Sequence, residues 1–161
     1  PIWNIADHNS SNGLDYWGIY SNSIFDVYDL AHGNYSIYCA AMSDTGPQSP
    51  PYDNGMIADL FFRTWEIPLW TAENFSAIKL TFSYYQKVSD WDGLSVWAST
   101  ESGPGVKLMG GTMYNRDTHN WIEWEGYIPL DTVSVGFVFA SDETGVDQGT
   151  FIDDVMLVGY Y

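Results

Sequence analysis

Two adjacent carboxylates near the end of the chain have the clearest capacity for chemistry. Asp153 and Asp154 interrupt the apolar, β-branched and aromatic run 149–159, which has the length and composition of a β-strand. Successive side chains of a strand point to opposite faces, and both faces of this one are otherwise apolar. The pattern therefore predicts that one carboxylate points towards the core. A buried, unpaired carboxylate is costly, so it requires backbone donors, a basic side chain or a metal ion.

Calcium is one such partner, since it takes about 6–8 oxygen ligands from carboxylates, carbonyls and water. The chain has 21 Asp and Glu against 5 Lys and Arg, a formal net charge of −16 that leaves few bases to neutralise a buried acid. The alternative is that backbone N–H groups or Arg63, Lys79 or Lys87 hold the inward carboxylate. Two further acidic turns, 90–93 and 142–147, do not follow the EF-hand spacing, and solvated turns are the simpler interpretation.

Aromatic residues are the second group of candidates. Eight Trp and twelve Tyr exceed the needs of one small core. An indole ring packs against the C–H face of a sugar while nearby polar groups bind its hydroxyls, and Trp and Tyr are also enriched at protein interfaces. The candidates in or beside turns are Trp65, Trp70, Trp91, Trp121 and Tyr114. The alternative is core and inter-sheet packing, which accounts for at least half of the aromatics.

No catalytic residues are predicted. Glu123 and Glu125 share one face of a predicted strand beside Trp121, but a solvated strand face is the simpler interpretation of this pair. Glycoside hydrolysis needs two carboxylates about 5–10 Å apart across a cleft. The chain has no G-x-S-x-G, P-loop or dinucleotide motif, and its three dispersed histidines do not have the spacing of a zinc site.

The elements that position these residues are short strands. In 77–85, apolar Ile78, Leu80 and Phe82 alternate with polar side chains, which is typical of a half-buried strand. The other candidate strands are 3–5, 16–20, 24–28, 34–41, 56–63, 65–69, 94–98, 106–109, 120–128, 133–140 and 149–159. Nine to ten strands drawn from these twelve candidates, with turns between them, predict a single all-β domain, 1–161, folded as an antiparallel two-sheet β-sandwich.

Net charge and hydropathy limit the classes of partner that we expect for this chain. A net charge of −16 repels phosphate backbones and anionic lipid, so no nucleic acid is expected. No window of 18 uninterrupted apolar residues is present, so no membrane span is predicted. Cys39 is the single cysteine, which excludes an internal disulfide and predicts a buried thiol.

The order of motifs along the chain resembles the MAM-like jelly-roll superfamily, which includes MAM domains and the cleaved-adhesin modules of bacterial surface proteases. The resemblance rests on the following series: Trp17, Gly33-Asn-Tyr-Ser-Ile-Tyr-Cys39, Tyr52-Asp-Asn-Gly-Met56, Leu80-Thr-Phe-Ser-Tyr-Tyr85, Trp91-Asp-Gly-Leu-Ser-Val-Trp97 with Ser99-Thr-Glu-Ser-Gly103, Trp121, Val135-Gly-Phe-Val-Phe-Ala-Ser-Asp142 and Phe151-Ile-Asp-Asp-Val155. It implies a jelly-roll topology, an extracellular or cell-surface setting, a structural calcium ion and no shared catalytic site.

The resemblance also implies a ligand set for the ion, in which Asp7, Asp53 and Asn54 approach Asp153 and Asp154. We therefore expect a non-catalytic, secreted or surface-exposed, calcium-stabilised module for adhesion, assembly or accessory support. Its partner would be a protein or glycan at a cell surface or matrix, or a second copy of the chain. The alternative is a carbohydrate-binding module that uses exposed Trp and Tyr, and a third option is a glycoside hydrolase or lyase.

Overall fold

The chain forms short β-strands almost throughout the residues that the computed structural model describes, which are 3–8, 16–21, 35–43, 46–47, 51–67, 75–110 and 117–161. The strands are β1 Trp3–Asp7, β2 Tyr16–Ser21, β3 Tyr35–Ser43, β4 Gly46–Pro47, β5 Ile57–Arg63, β6 Ala77–Lys87, β7 Gly93–Thr100, β8 Val106–Met109, β9 Ile122–Ile128, β10 Thr132–Ala140 and β11 Gly149–Tyr160. The predicted strand 24–28 lies outside the described residues.

The strands pair antiparallel in two sheets. One sheet has the order β1-β5-β10-β7-β8, and the other has the order β2-β3-β11-β6-β9 with the short β4 beside β3. Consecutive strands pair with each other at β2-β3, β3-β4 and β7-β8, and at every other step the chain crosses from one sheet to the other, as in a jelly roll. The predicted all-β, two-sheet jelly-roll sandwich is confirmed. No helix in the described part of the chain is long and apolar enough to cross a membrane.

The core lies between the sheets and is built by alternation. Ile78, Leu80 and Phe82 of β6 are buried, as predicted. Phe82 meets Phe137 of the opposite sheet edge to face, with ring centroids 5.0 Å apart, a favourable aromatic geometry. Because the inward positions are occupied in this way, the intervening residues of each strand face outward.

Strand β11 contains a β-bulge at the two Asp residues. Asp153 lies opposite Ser83, whereas Met156 lies opposite Thr81, so three steps along β11 match two steps along β6. One extra residue is thus inserted, which interrupts the alternation of side chains. The inward positions of β11 change from even to odd residue numbers across the bulge.

The prediction that one of the two carboxylates points into the core is wrong for this reason. Ile152 fills the core before the bulge and Val155 packs against it afterwards. Asp153 is half-buried and Asp154 is exposed. Asp154 has a φ of 51°, a left-handed conformation that Asp adopts more readily than most residues.

The predicted strand 65–69 is also wrong where the structure describes it. Residues Thr64–Glu66 form a single 3₁₀ turn, closed by a 3.1 Å bond from the N–H of Ile67 to the carbonyl of Thr64. The buried Thr64 hydroxyl donates to the carbonyl of Thr132 at 2.9 Å. This bond fixes the chain at the end of β5, and residues 68–69 lie outside the described part.

Candidate functional site

The outer face of the six-stranded sheet carries a groove of about 460 Å³. This volume falls within the range of about 300–1,000 Å³ that small-molecule sites occupy. The groove runs over β6 between β9 and β11. Its lining consists of Thr81, Phe82, Ser83, Trp121, Glu123, Asp154 and Met156.

Two hydroxyl side chains form the floor of the groove. Thr81 and Ser83 lie on either side of the core residue Phe82, so they point outward from β6, yet they are only 6% and 5% exposed. A hydroxyl group can both donate and accept hydrogen bonds. The floor therefore offers two hydrogen-bonding groups to a ligand or to water.

An aromatic ring forms one wall. Trp121 immediately precedes β9, and its ring lies 6.3 Å from that of Tyr85. The Tyr85 hydroxyl donates to Gln148 Oε1 at 3.0 Å, which helps to fix the ring that supports Trp121. Of the aromatic residues that were predicted to bind ligand and that the structure describes, Trp121 is the one that lines the groove.

Carboxylates flank the floor on both sides. Glu123 and Asp153 both lie opposite Ser83, one on each neighbouring strand, so the three form a row across the sheet. Asp153 Oδ1 accepts a hydrogen bond from the N–H of Asp154 at 2.8 Å, which stabilises the backbone that carries the Asp154 carboxylate to the lining. Glu123 and Asp154 are exposed, and the part of the lining that the structure describes contains no Lys, Arg or His.

The five predicted metal ligands do not form one site. Asp153 and Asp154 lie on the outer face of the six-stranded sheet, whereas Asp7 is at the end of β1 in the other sheet, opposite Ala58. Among the described residues, no three His, Cys, Asp or Glu side chains are grouped closely enough to hold a metal ion. These residues therefore do not fit a shared calcium site, and the calcium ion itself stays a prediction.

The turn that contains Asp53 and Asn54 is also remote from the groove. The N–H of Tyr52 donates to the carbonyl of Asp147 at 3.3 Å, which places this turn beside the start of β11. Asp153 lies four residues further along the strand, roughly 13 Å away at the rise of an extended chain.

The buried carboxylate of the described structure is Asp92, at the turn between β6 and β7. Its Oδ2 accepts a 2.5 Å hydrogen bond from the Tyr52 hydroxyl, and its Oδ1 accepts a 2.6 Å bond from the N–H of Asp142. The N–H of Ser89 donates to the same Tyr52 hydroxyl at 2.8 Å. Burial raises the pKa of the Asp92 carboxyl above its usual range, because the charged form loses hydration.

The acidic turns therefore differ from one another. The interpretation of 90–93 as a solvated turn is correct for Asp90 and Trp91, which are exposed, and wrong for Asp92, which is buried. The Asp142 carboxylate caps its own turn and accepts bonds from the N–H and hydroxyl of Thr144 at 2.6 and 3.0 Å. Asp92 thus ties three loops at one end of the sandwich, a structural role that the sequence assigned to Asp153 or Asp154.

The other two aromatic candidates that the structure describes do not line the groove. Trp65 follows β5, and the last residues of β5 pair with the start of β10. Trp91 precedes β7, and the first residues of β7 pair with the end of β10. These two exposed rings are thus separated by about the length of β10, roughly 25 Å. Trp70 and Tyr114 lie outside the described residues.

A second aromatic surface covers part of the outer face of the five-stranded sheet. The Arg63 guanidinium lies 5.8 Å from the Phe61 ring centroid and 5.6 Å from that of Trp65. Lys107 Nζ lies 5.0 Å from the ring centroid of Trp97. We call these five residues the cationic–aromatic face. The sequence did not single out Trp97, although the alternation of β7 indicates that it points outward.

No family model matches the chain, and no curated protein matches its sequence. Solved structures do match its fold. The K2 cleaved adhesin domain of Lys-gingipain is 15% identical with a TM-score of 0.64, over 98% of this chain and 90% of that one. The K1 domain from Porphyromonas gingivalis W83 is 14% identical with a TM-score of 0.58, over 99% of this chain and 91% of that one.

The chain has the fold of these cleaved adhesin domains. A family 11 carbohydrate-binding module from Clostridium thermocellum, in complex with a β-1,3-1,4-mixed-linked tetrasaccharide, is also similar. It is 10% identical with a TM-score of 0.51, over 99% of this chain and 89% of that one. At these identities the comparisons establish a shared sandwich, and the resemblance to cleaved adhesins is confirmed at the level of the fold.

Proposed function

We propose that this domain is a non-catalytic adhesion module that binds a glycan in the groove of the six-stranded sheet. The observation that carries the proposal is the composition of the groove, in which an aromatic wall faces a floor of hydroxyls flanked by carboxylates. An indole face packs against the C–H face of a sugar ring, and a few fixed polar groups orient a ligand. Thr81, Ser83, Glu123 and Asp154 provide those groups opposite Trp121.

Two comparisons support the proposal. Adhesin domains and a saccharide-bound carbohydrate-binding module share this sandwich. A module of this kind would meet its glycan at a cell surface or in a matrix, and the sequons at Asn9, Asn34 and Asn74 are compatible with an exported protein.

Hydrolysis is the less favoured function of the same groove. Glu123 and Asp154 both line it, which meets one requirement of a glycosidase. A general acid additionally requires an environment that keeps it protonated, commonly burial in an apolar pocket. Both carboxylates are exposed, so we propose that they accept hydrogen bonds from sugar hydroxyls.

A second candidate function is protein binding through the cationic–aromatic face. Trp and Arg are enriched among the residues that dominate binding energy at interfaces, and this face presents Trp65, Trp97 and Arg63 together. It would serve adhesion or self-assembly in place of glycan recognition.

Oligosaccharide titration tests the glycan candidate and its position. We expect Trp121→Ala to abolish the tryptophan fluorescence response to a panel of neutral and charged oligosaccharides and to weaken binding at least tenfold, because the aromatic wall is lost. Trp97→Ala, on the opposite sheet, is the matched control and should bind normally. Loss of binding in Trp97→Ala but not in Trp121→Ala would place the glycan site on the cationic–aromatic face. The absence of new reducing ends after incubation with the panel would confirm binding without hydrolysis.

A further inference from the structure

We infer that the groove selects amino sugars and rejects acidic saccharides. This inference rests on the proposed glycan binding and adds the chemical class of the ligand. Its basis is the row that crosses three strands, in which Glu123, Ser83 and Asp153 lie opposite one another. Neighbouring strands are about 4.8 Å apart, so two carboxylate-bearing residues stand roughly 10 Å apart across an enclosed hydroxyl.

The groove is rich in hydrogen-bond acceptors. Ionised carboxylates only accept hydrogen bonds, whereas the two floor hydroxyls accept or donate. None of the described residues that line the groove is Lys, Arg or His. A ligand that supplies donors, such as sugar hydroxyls and an ammonium group, satisfies this lining, whereas a uronate or another acidic sugar brings a further acceptor with a like charge.

Among the described residues, the nearest basic side chain on the same face is already engaged. Lys79 lies one outward position beyond Thr81 on β6, and its Nζ contacts Glu125 Oε2 at 3.0 Å. It therefore neutralises the next carboxylate of β9 and leaves Glu123 without that partner. With a net charge of −16 over the chain, the potential at the groove is negative and attracts a cationic ligand.

An organic ammonium fits this arrangement better than a metal ion does. No three acidic or His side chains are grouped for coordination within the described residues, whereas an ammonium group has three N–H donors and can bond the Ser83, Glu123 and Asp154 side chains of the groove lining through separate hydrogen bonds. The bulge contributes to this selectivity because it brings the Asp154 carboxylate to the groove lining.

The test is calorimetric titration of the intact chain with four saccharide trimers of one β-1,4-linked pyranose series: glucosamine, N-acetylglucosamine, glucose and glucuronic acid. We expect the glucosamine trimer to bind at least tenfold more tightly than its N-acetylated counterpart, and the glucuronate trimer not to bind. This preference should weaken at high salt, since screening shortens the reach of exposed charges.

Asp154→Asn and Glu123→Gln should each weaken binding of the glucosamine trimer more than binding of the neutral glucose trimer, so that the preference for the ammonium group falls. Glu143→Gln is the matched control, because it removes one charge from an exposed loop residue outside the groove lining. Three outcomes would overturn the inference and leave the proposed function intact. They are equal binding of the neutral and amino trimers, binding of the glucuronate trimer, and loss of the preference when calcium chloride is added at constant ionic strength. If saccharides of every charge class fail to bind, the proposed function fails and the inference fails with it.

Discussion

Asp92 shows how one residue can join several loops. Its two oxygens accept hydrogen bonds from the Tyr52 hydroxyl and the N–H of Asp142, so the turn before β7 is tied to the segments that precede β5 and follow β10. Hydrogen bonds to a charged acceptor stabilise a fold more than neutral ones do. Removal of this carboxylate leaves enclosed donors without a partner.

The raised pKa of Asp92 predicts a pH dependence of stability. The folded state binds this proton more readily than the unfolded state, so between the unfolded and folded pKa values the free energy of unfolding falls as pH rises. The contribution of Asp92 to the free energy of unfolding is therefore largest at acidic pH, and it is lost as the pH rises through the pKa of Asp92 in the folded state. We expect Asp92→Asn to lack this component, so that wild type gains stability relative to the variant as pH falls from neutral.

Urea unfolding at a series of pH values measures this difference. Asp90→Asn, the exposed neighbour, should give a curve parallel to that of wild type. A constant gap between wild type and Asp92→Asn at all pH values would contradict the assignment. Asp92→Ala should lower the free energy of unfolding by about 1–3 kcal/mol at neutral pH, since the donors then lack their acceptor.

At the scale of elements, the bulge in β11 decides where two carboxylates point. The strand length and composition were predicted correctly, but the extra residue between Asp153 and Met156 moves both acids to the outer face. The left-handed backbone of Asp154 makes this bulge possible, and bulges commonly redirect side chains near functional sites.

Substitutions at Asp154 test the bulge. Asp154→Val should destabilise the domain by about 1–3 kcal/mol, because a β-branched residue is strained at positive φ. Asp154→Gly and Asp154→Asn, which both accept this conformation, should unfold within about 1 kcal/mol of wild type. Thermal unfolding of the three variants is the measurement, and equal melting temperatures for Val and Gly would show that the left-handed conformation is not retained in solution.

At the scale of the molecule, a net charge of −16 opposes compaction. Bound cations would offset this repulsion, and calcium is the ion that the resemblance implies. The structure separates the five predicted ligands, so a stabilising ion would use a different combination of oxygens from the one predicted.

We expect EGTA to lower the melting temperature of protein first loaded with calcium. An ion that binds only the folded state adds about 2.7 kcal/mol of stability at a hundredfold excess over its Kd. Addition of excess calcium after the chelator should restore the melting temperature, and magnesium at the same ionic strength serves as the control for general screening. An unchanged melting temperature with EGTA would rule out a stabilising calcium ion.

The sequence by itself determined the sandwich, because alternation and turn composition are local properties. Strand β8 was predicted at its observed bounds, and the alternation of β6 placed Thr81 and Ser83 on the outward face. The sequence also identified Trp121 and the Asp153–Asp154 pair as residues of interest.

Only the tertiary structure decided which carboxylate is buried and which side chains meet. The register between β11 and β6 created the bulge that exposes Asp154, and contacts from two distant loops buried Asp92. The groove depends on three strands that are far apart in sequence, so Glu123, Ser83 and Asp154 become neighbours through pairing alone. Local sequence patterns indicate the face of a strand on which a side chain lies, but the register and crossovers of the two sheets determine which residues lie beside that side chain.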